Sequence, residues 1–151
     1  DVSTQLGMMI SPELWRETLK PRLARVIEAA KNGKPDILIF YHGDGNLQEI
    51  IPDLIEIGVD ILNPVQPECM DPVEIKKKYG GRLSLWGTIG TQTVLPFGSA
   101  DEVREWCKKM IREVGYNGGL CLAPTHMIEP EVPFENIMAF IETVKRHNRE
   151  S

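Results

Sequence analysis

Cysteine is scarce in this chain and odd in number. Cys69, Cys107 and Cys121 are the three among 151 residues, and no two stand close together. A disulfide framework or a zinc ribbon needs paired, regularly spaced cysteines. Neither is expected, and a reducing cytoplasm is the expected compartment. Positive charge is also short: 17 Lys and Arg face 22 Asp and Glu, a formal net charge of -5. Nucleic-acid binding rests on neutralising phosphates with a basic face, so nucleic acid is not an expected partner. The densest basic runs, Lys76-Lys77-Lys78 and Lys145-Arg146, read as solvated helix faces. No apolar run reaches the roughly 18 residues that span a bilayer, so no membrane partner is expected. Residues 1–11 lack the basic start and cleavage pattern of a signal peptide. An initiating Met is missing too, and DVST reads as the interior of a longer sequence.

What is present is an alternation. Ser11, Pro12 and Glu13 predict the start of a helix over 11–31, which Pro21 should kink or split and Asn32-Gly33 should stop. Ile37 to Tyr41 is an unbroken apolar run and reads as a strand buried on both faces. A second helix is expected over 46–57, capped by Asn46 and followed by Gly58. Strands are then expected at Val59–Asn63, Leu83–Thr88 and Leu120–Ala123. Between them, Asp71-Pro72-Val73-Glu74 opens a helix that ends at Tyr79-Gly80-Gly81. Another helix runs from Ser99 to Val114, with Ser99 and Glu102 in capping-box register. The last covers 133–148, and Lys145 to Ser151 should fray as a charged tail. A leading helix followed by four strand–helix units means parallel strands with crossover helices.

The polar clusters fall on one side of that pattern. His42, Asp44 and Asn46 follow the first strand, and Asn63, Gln66 and Glu68 the second. Thr88 and Gln92 follow the third, and Thr125 and His126 the fourth. The loops that enter the strands carry plainer material such as Lys34-Pro35 and Gly81-Arg82. Parallel α/β folds place function at the carboxyl ends of their strands, and the asymmetry matches. Each residue keeps a plainer reading. Asp44 or Asn46 would cap a helix after a Gly-rich turn, Trp86 would pack the sheet, and Asn63, Gln66 and Gln92 would stabilise loops. Cys69 lies on the functional side, whereas Cys107 and Cys121 fall within regular elements. Met8, Met9, Met70 and Met127 all fall in loops of the proposed site face and would supply apolar contact.

Several segments in order resemble the carboxyl-terminal half of the uroporphyrinogen decarboxylase superfamily, which joins a haem-pathway decarboxylase to corrinoid-linked methyltransferases. They are SPELW with Pro21 (11–21), HGDGN (42–46), DLIEIGVDILNPVQPE with MDP (53–72), YGGRLSLWGTIGTQTVLPFGSADEV (79–103), Gly118-Gly119, and APTHMIEPEVPFENI (123–137). The resemblance covers essentially the whole chain. It implies an α/β fold: the carboxyl-terminal half of a (β/α)8 TIM-type barrel, four parallel strands with five helices, as one partial domain over 1–151 without its amino-terminal half. Four strands cannot close an eight-stranded barrel. Two strand edges would stay unpaired, and pairing as a homodimer or with the missing half is expected.

For the site, the resemblance implies two chemistries. In the decarboxylases a histidine after the last strand lines the substrate cleft, and His126 matches it, with Thr125 in place of a glycine. A carboxy-lyase acting on a tetrapyrrole or related small organic acid would need no cofactor. His126, His42 and Asp44 would form its polar wall, with Asn63, Gln66, Trp86, Thr88 and Gln92 as substrate contacts. The amino-terminal half would supply the main charge stabiliser, so this chain alone should be inactive. The methyltransferases carry a zinc-binding His-x-Cys after the equivalent of the first strand and a further Cys after the last. Here His42 is kept, while Asp44 and His126 stand in place of the two thiolates. That leaves a two-histidine, one-carboxylate set suited to zinc, cobalt or iron(II). A frequent Asp after the third strand is Gly90 in this chain. A third reading is a half barrel that self-associates and catalyses nothing.

Overall fold

The computed structural model of the chain describes residues 1–150, of which Asn148 and Glu150 are described by backbone alone; Ser151 lies outside the described residues. Helix α1 (Pro12–Thr18) starts where Ser11 Oγ accepts the Leu14 amide at 3.1 Å. It stops at Thr18, and α2 (Lys20–Gly33) begins with Pro21 in its first turn. Pro21 has no N–H to give the preceding turn, so the expected helix divides at Leu19.

The paired helices are pinned to α3 (Ile51–Glu56) through Asp53. Its carboxylate accepts from Lys20 Nζ at 2.7 Å and Arg16 Nε at 3.0 Å. Burial pushes the Asp53 carboxyl up, but Lys20 and Arg16 outweigh it and hold the group below its ordinary value. A depressed carboxylate contributes stability above its unfolded value and loses it as pH falls through the folded one. Asp53→Asn is therefore expected to cost about 2 kcal/mol at neutral pH. In urea melts, the gap between variant and wild type should close below about pH 4.

Four strands form one sheet: β1 (Phe40–His42), β2 (Ile61–Val65), β3 (Ser84–Ile89) and β4 (Leu120–Pro124). All pairings are parallel and the spatial order equals the chain order, β1-β2-β3-β4. An open doubly wound sheet reverses its order at a switch point; a barrel does not. The winding is that of part of a (β/α)8 barrel, with β1 and β4 as open edges.

The two faces of the sheet differ. Tyr41, Leu62, Leu85 and Leu120 stand in register across it and pack into the core beneath the helices, with Leu54, Ile75 and Met110. The helices on that side include α4 (Pro72–Tyr79) and the longer α6 (Ala100–Glu113) and α7 (Phe134–Glu150). On the opposite face Phe40 meets Trp86 edge to face at 5.2 Å between ring centres. Leu38, Phe40 and Trp86 remain 67%, 45% and 37% exposed, and Cys121 is exposed beside them. No described helix covers these residues, which occupy the side that would be the barrel interior.

Several expectations change. The strand expected at 37–41 is shorter, at Phe40–His42, and is not buried on both faces, because its second face has no layer over it. The helix expected over 46–57 is a 3-10 turn at Gln48–Ile50 followed by α3. Pro52 interrupts the ladder, and Asn46 Oδ1 caps only the local turn through the Gln48 amide at 3.2 Å. β2 runs two residues beyond Asn63, through cis-Pro64, where the register slips against β3. The described helices number seven, not five: the first divides, and a short α5 (Val94–Phe97) precedes α6. α7 continues to Glu150 where fraying was expected. The Asp71 cap and the Ser99–Glu102 capping box are both formed.

Candidate functional site

The site is assembled at the carboxyl ends of the strands. His42 is the last residue of β1, and its register partner on β2 is Asn63. Their side chains meet, His42 Nδ1 lying 2.6 Å from Asn63 Oδ1. With the amide oxygen as acceptor, Nδ1 carries a proton, and in the neutral imidazole Nε2 then keeps its lone pair. Nε2 points toward Asp44, 3.7 Å from Oδ2. Asp1 joins them: its carboxylate accepts the Asp44 amide at 3.1 Å. One ligand atom from each of Asp1, His42 and Asp44 lies within 4.8 Å of the others. His126 stands outside this group, so the expected His42, Asp44, His126 set is not the one brought together.

Beside the group opens a cleft of about 450 Å³. Gln66, Gln92, Asp44 and His126 line it, joined by Ser3, Thr4 and Gln5 of the amino-terminal segment and by Glu129 and Glu131 from the loop after β4. Among the described residues, its wall carries the carboxylates of Asp44, Glu129 and Glu131 and no Lys or Arg. Gln66 is buried, and its Oε1 accepts the Gly45 amide at 2.6 Å.

Among the described residues, the buried side-chain polar atoms without a partner are Asp44 Oδ1, Glu68 Oε2 and Thr88 Oγ1. Native proteins pair nearly all such atoms, and exceptions ask for an explanation. All three lie at the same end of the sheet. Thr88 also has φ of 78°, a left-handed conformation that a β-branched residue rarely adopts. Backbone strain and orphaned polar atoms at one rim are the marks of a site.

Other expected residues stand apart from the cleft lining. Thr88 is fully buried, and Trp86 lies on the uncovered face of the sheet. Asn63 acts on His42. Met70 belongs to the core, whereas Met127 lines the cleft. Burial pushes the Cys69 thiol up, and the Glu68 and Asp44 carboxylates push it further, so the thiol is kept protonated. Cys107 is buried and its thiol is pushed up to about 12. Ser3, Thr4, Gln5, Glu129 and Glu131 were not among the expected residues. Ser3 and Thr4 reach the cleft through contacts some forty positions distant and Gln5 through one 87 positions distant, which no local pattern signals. Glu68 Oε1 accepts from the Gln92 amide at 3.3 Å and the Thr93 hydroxyl at 2.8 Å. A Cβ on Gly90 would collide with that oxygen. At position 90, where the resemblance has an aspartate, glycine leaves room for the Glu68 carboxylate.

Comparison with known proteins finds relatives of two kinds. The methylcobamide:CoM methyltransferase MtaA of Methanosarcina barkeri is 31% identical over 134 residues, covering 88% of this chain and 36% of that protein. The uroporphyrinogen decarboxylase of Legionella pneumophila (strain Paris) is 26% identical over 140 residues, covering 91% of this chain and 38% of its own length. That of Hordeum vulgare is 25% identical over 138 residues, covering 90% and 39%. The chain thus spans less than two-fifths of these relatives. The family model described as uroporphyrinogen decarboxylase (URO-D) matches residues 2–147, and the chain belongs to that family.

Proposed function

We propose that this chain is the carboxyl-terminal part of a barrel enzyme that holds a divalent cation at His42, Asp44 and Asp1 and performs metal-assisted methyl transfer. The observation that carries the reading is the His42 group. An imidazole donating one ring N–H to an amide oxygen, with its other nitrogen toward the Asp44 carboxylate and a second carboxylate, Asp1, in the same group, matches the way metal-ligating histidines are usually held. The donors are nitrogen and oxygen, which suit zinc, cobalt or iron(II). When bound, such a cation supplies a Lewis acid for a thiol or similar nucleophile.

The residues of the chain do the rest. Asn63 sets the tautomer and aim of His42. His126, from the loop after β4, faces the same cleft and can carry a proton to or from a ligand there. The carboxylate wall repels anionic ligands and favours neutral or cationic ones. The relative of Methanosarcina barkeri, named a methylcobamide:CoM methyltransferase, supports this choice.

A second reading, decarboxylation of a tetrapyrrole or related organic acid without a cofactor, is favoured by His126 in the cleft and by the relatives named uroporphyrinogen decarboxylase. It asks the other half of the barrel for every cation that would hold substrate carboxylates, since the lining here has no Lys or Arg. On either reading the chain alone is inactive and pairs through its uncovered face.

Elemental analysis after equilibration with zinc, cobalt or iron(II) under reducing conditions tests the choice. About one ion per chain is expected. No retained metal overturns the methyl-transfer reading and leaves the decarboxylase one.

A further inference from the structure

Residues 1–9 form a small hairpin that lies across the mouth of the cleft. Its strands are joined by an antiparallel bridge between Ser3 and Met8, by the Met9 amide to the Val2 carbonyl at 2.9 Å, and by the Thr4 amide to the Gly7 carbonyl at 2.8 Å. Ser3, Thr4 and Gln5 are cleft lining. Val2 and Met8 pack against the core at its base, and its polar contacts to the rest of the molecule fall into two groups of different character.

The first fastening is to the loop after β1. Ser3 Oγ donates to the Asp44 carbonyl at 2.6 Å, and the Asn46 amide donates to the Thr4 carbonyl at 2.8 Å. Gly45 makes the approach possible: it has φ of 94°, and a Cβ there would stand 2.5 Å from the Thr4 oxygen. Backbone interlocked with backbone at this range is a fixed attachment. The second fastening is at the tip and is a single contact between exposed side chains, Gln5 Nε2 donating to Gln92 Oε1. An exposed amide pair exchanges readily with water, so this end can release while the first stays fixed.

The loop that presents Gln92 is held from below by Glu68. Its Oε1 accepts both the Gln92 amide and the Thr93 hydroxyl, and Gly90 leaves the space in which the carboxylate sits. We propose that residues 1–9 are a strap over the cleft, fixed on the β1 loop and latched at the tip by Gln5 and Gln92, and that Glu68 is the positioning residue that sets the latch. Glu68 acts through Gln92 and touches no ligand. Releasing the tip widens the mouth of the cleft for a small-molecule ligand, and closing it returns Gln5 to the wall. The inference does not depend on which reaction the barrel performs.

Amide hydrogen exchange on the full chain, read residue by residue by NMR, tests it. In Gln92→Ala and Gln5→Ala the tip amides of Thr4 and Leu6, bonded to the Gly7 carbonyl and the Thr4 hydroxyl, should exchange at least about threefold faster, with the Met9 amide at the base and the sheet unchanged. Glu68→Ala should do the same. Glu68→Gln keeps an oxygen acceptor for the Gln92 amide and Thr93 hydroxyl, and should leave the strap as slow as wild type. Thr93→Val removes one of the two bonds and should give an intermediate rate, which keeps the proposal testable if Glu68→Ala does not fold. A Glu68 with a merely structural role would lower the melting temperature and loosen residues 90–93 while the strap kept its wild-type exchange. That result overturns the proposal. So does a Gln5→Ala variant with unchanged strap exchange, or a Glu68→Gln variant as loose as the alanine one.

Discussion

His42→Ala is expected to lose stoichiometric zinc, whereas His126→Ala is expected to keep it. The difference follows from where the two imidazoles stand. His42 shares a 4.8 Å neighbourhood with the carboxylates of Asp44 and Asp1, and His126 does not belong to that group. Removing His42 takes away the one nitrogen donor and leaves two carboxylates, a set better matched to hard cations such as magnesium or calcium. Asn63→Ala provides a finer test. It keeps all three donors but frees the imidazole to rotate and to change tautomer, and an orienting partner of this kind typically contributes about 10- to 100-fold in metal affinity. Isothermal titration with zinc under reducing conditions reads all three variants. Wild-type affinity in Asn63→Ala would mean that the 2.6 Å contact to His42 is incidental. Loss of zinc in His126→Ala would mean that the loop after β4 closes onto the group when metal binds.

The second large effect concerns the uncovered face of the sheet. In solution the chain is expected to scatter light as a particle of at least twice its 17.0 kDa mass. Leu38, Phe40 and Trp86 form an apolar patch on a sheet whose two edge strands lack neighbours. Such a patch is usually covered, and unpaired strand edges recruit other chains. The double variant Phe40→Ser, Trp86→Ser should shift the particle toward the monomer. Buried aromatic anchors are worth about 2 kcal/mol or more each in an interface, so a loss of roughly 1000-fold or more in association is the expected scale for the double variant. Both rings are part-exposed in the single chain, so the variant should still fold, which far-ultraviolet circular dichroism would verify. A wild-type monomer at millimolar concentration would show that the exposed face needs no partner.

Much of the fold was legible because its signals are local. Ser11, Asp71 and Ser99 with Glu102 are caps that act within three residues of themselves, and each is formed. The four strands were visible as apolar runs between turn residues. Where the reading failed, a longer-range or geometric fact decided. Pro52 lies inside an otherwise helical pattern, and only the position of the 3-10 turn shows on which side the ladder breaks. The apolar run before His42 could not reveal that one face of β1 has no layer over it, because burial on both faces is a property of the layers and not of the strand.

The site divides in the same way. His42 and Asp44 are two positions apart, and a strand end followed by glycines brings them together in any parallel α/β fold. The sequence by itself determined that pairing, the alternation of strands and helices, and the acidic balance of the chain. The tertiary structure alone decided that Asn63 orients His42, since register across strands sets that contact. It alone decided that Asp1, not His126, lies beside His42 and Asp44, and that Ser3, Thr4 and Gln5 line the cleft. Contacts between residues some forty or more positions apart, or between loops of neighbouring strands, leave no periodic trace along a chain. They exist only once the sheet has brought the carboxyl ends of its strands to one rim.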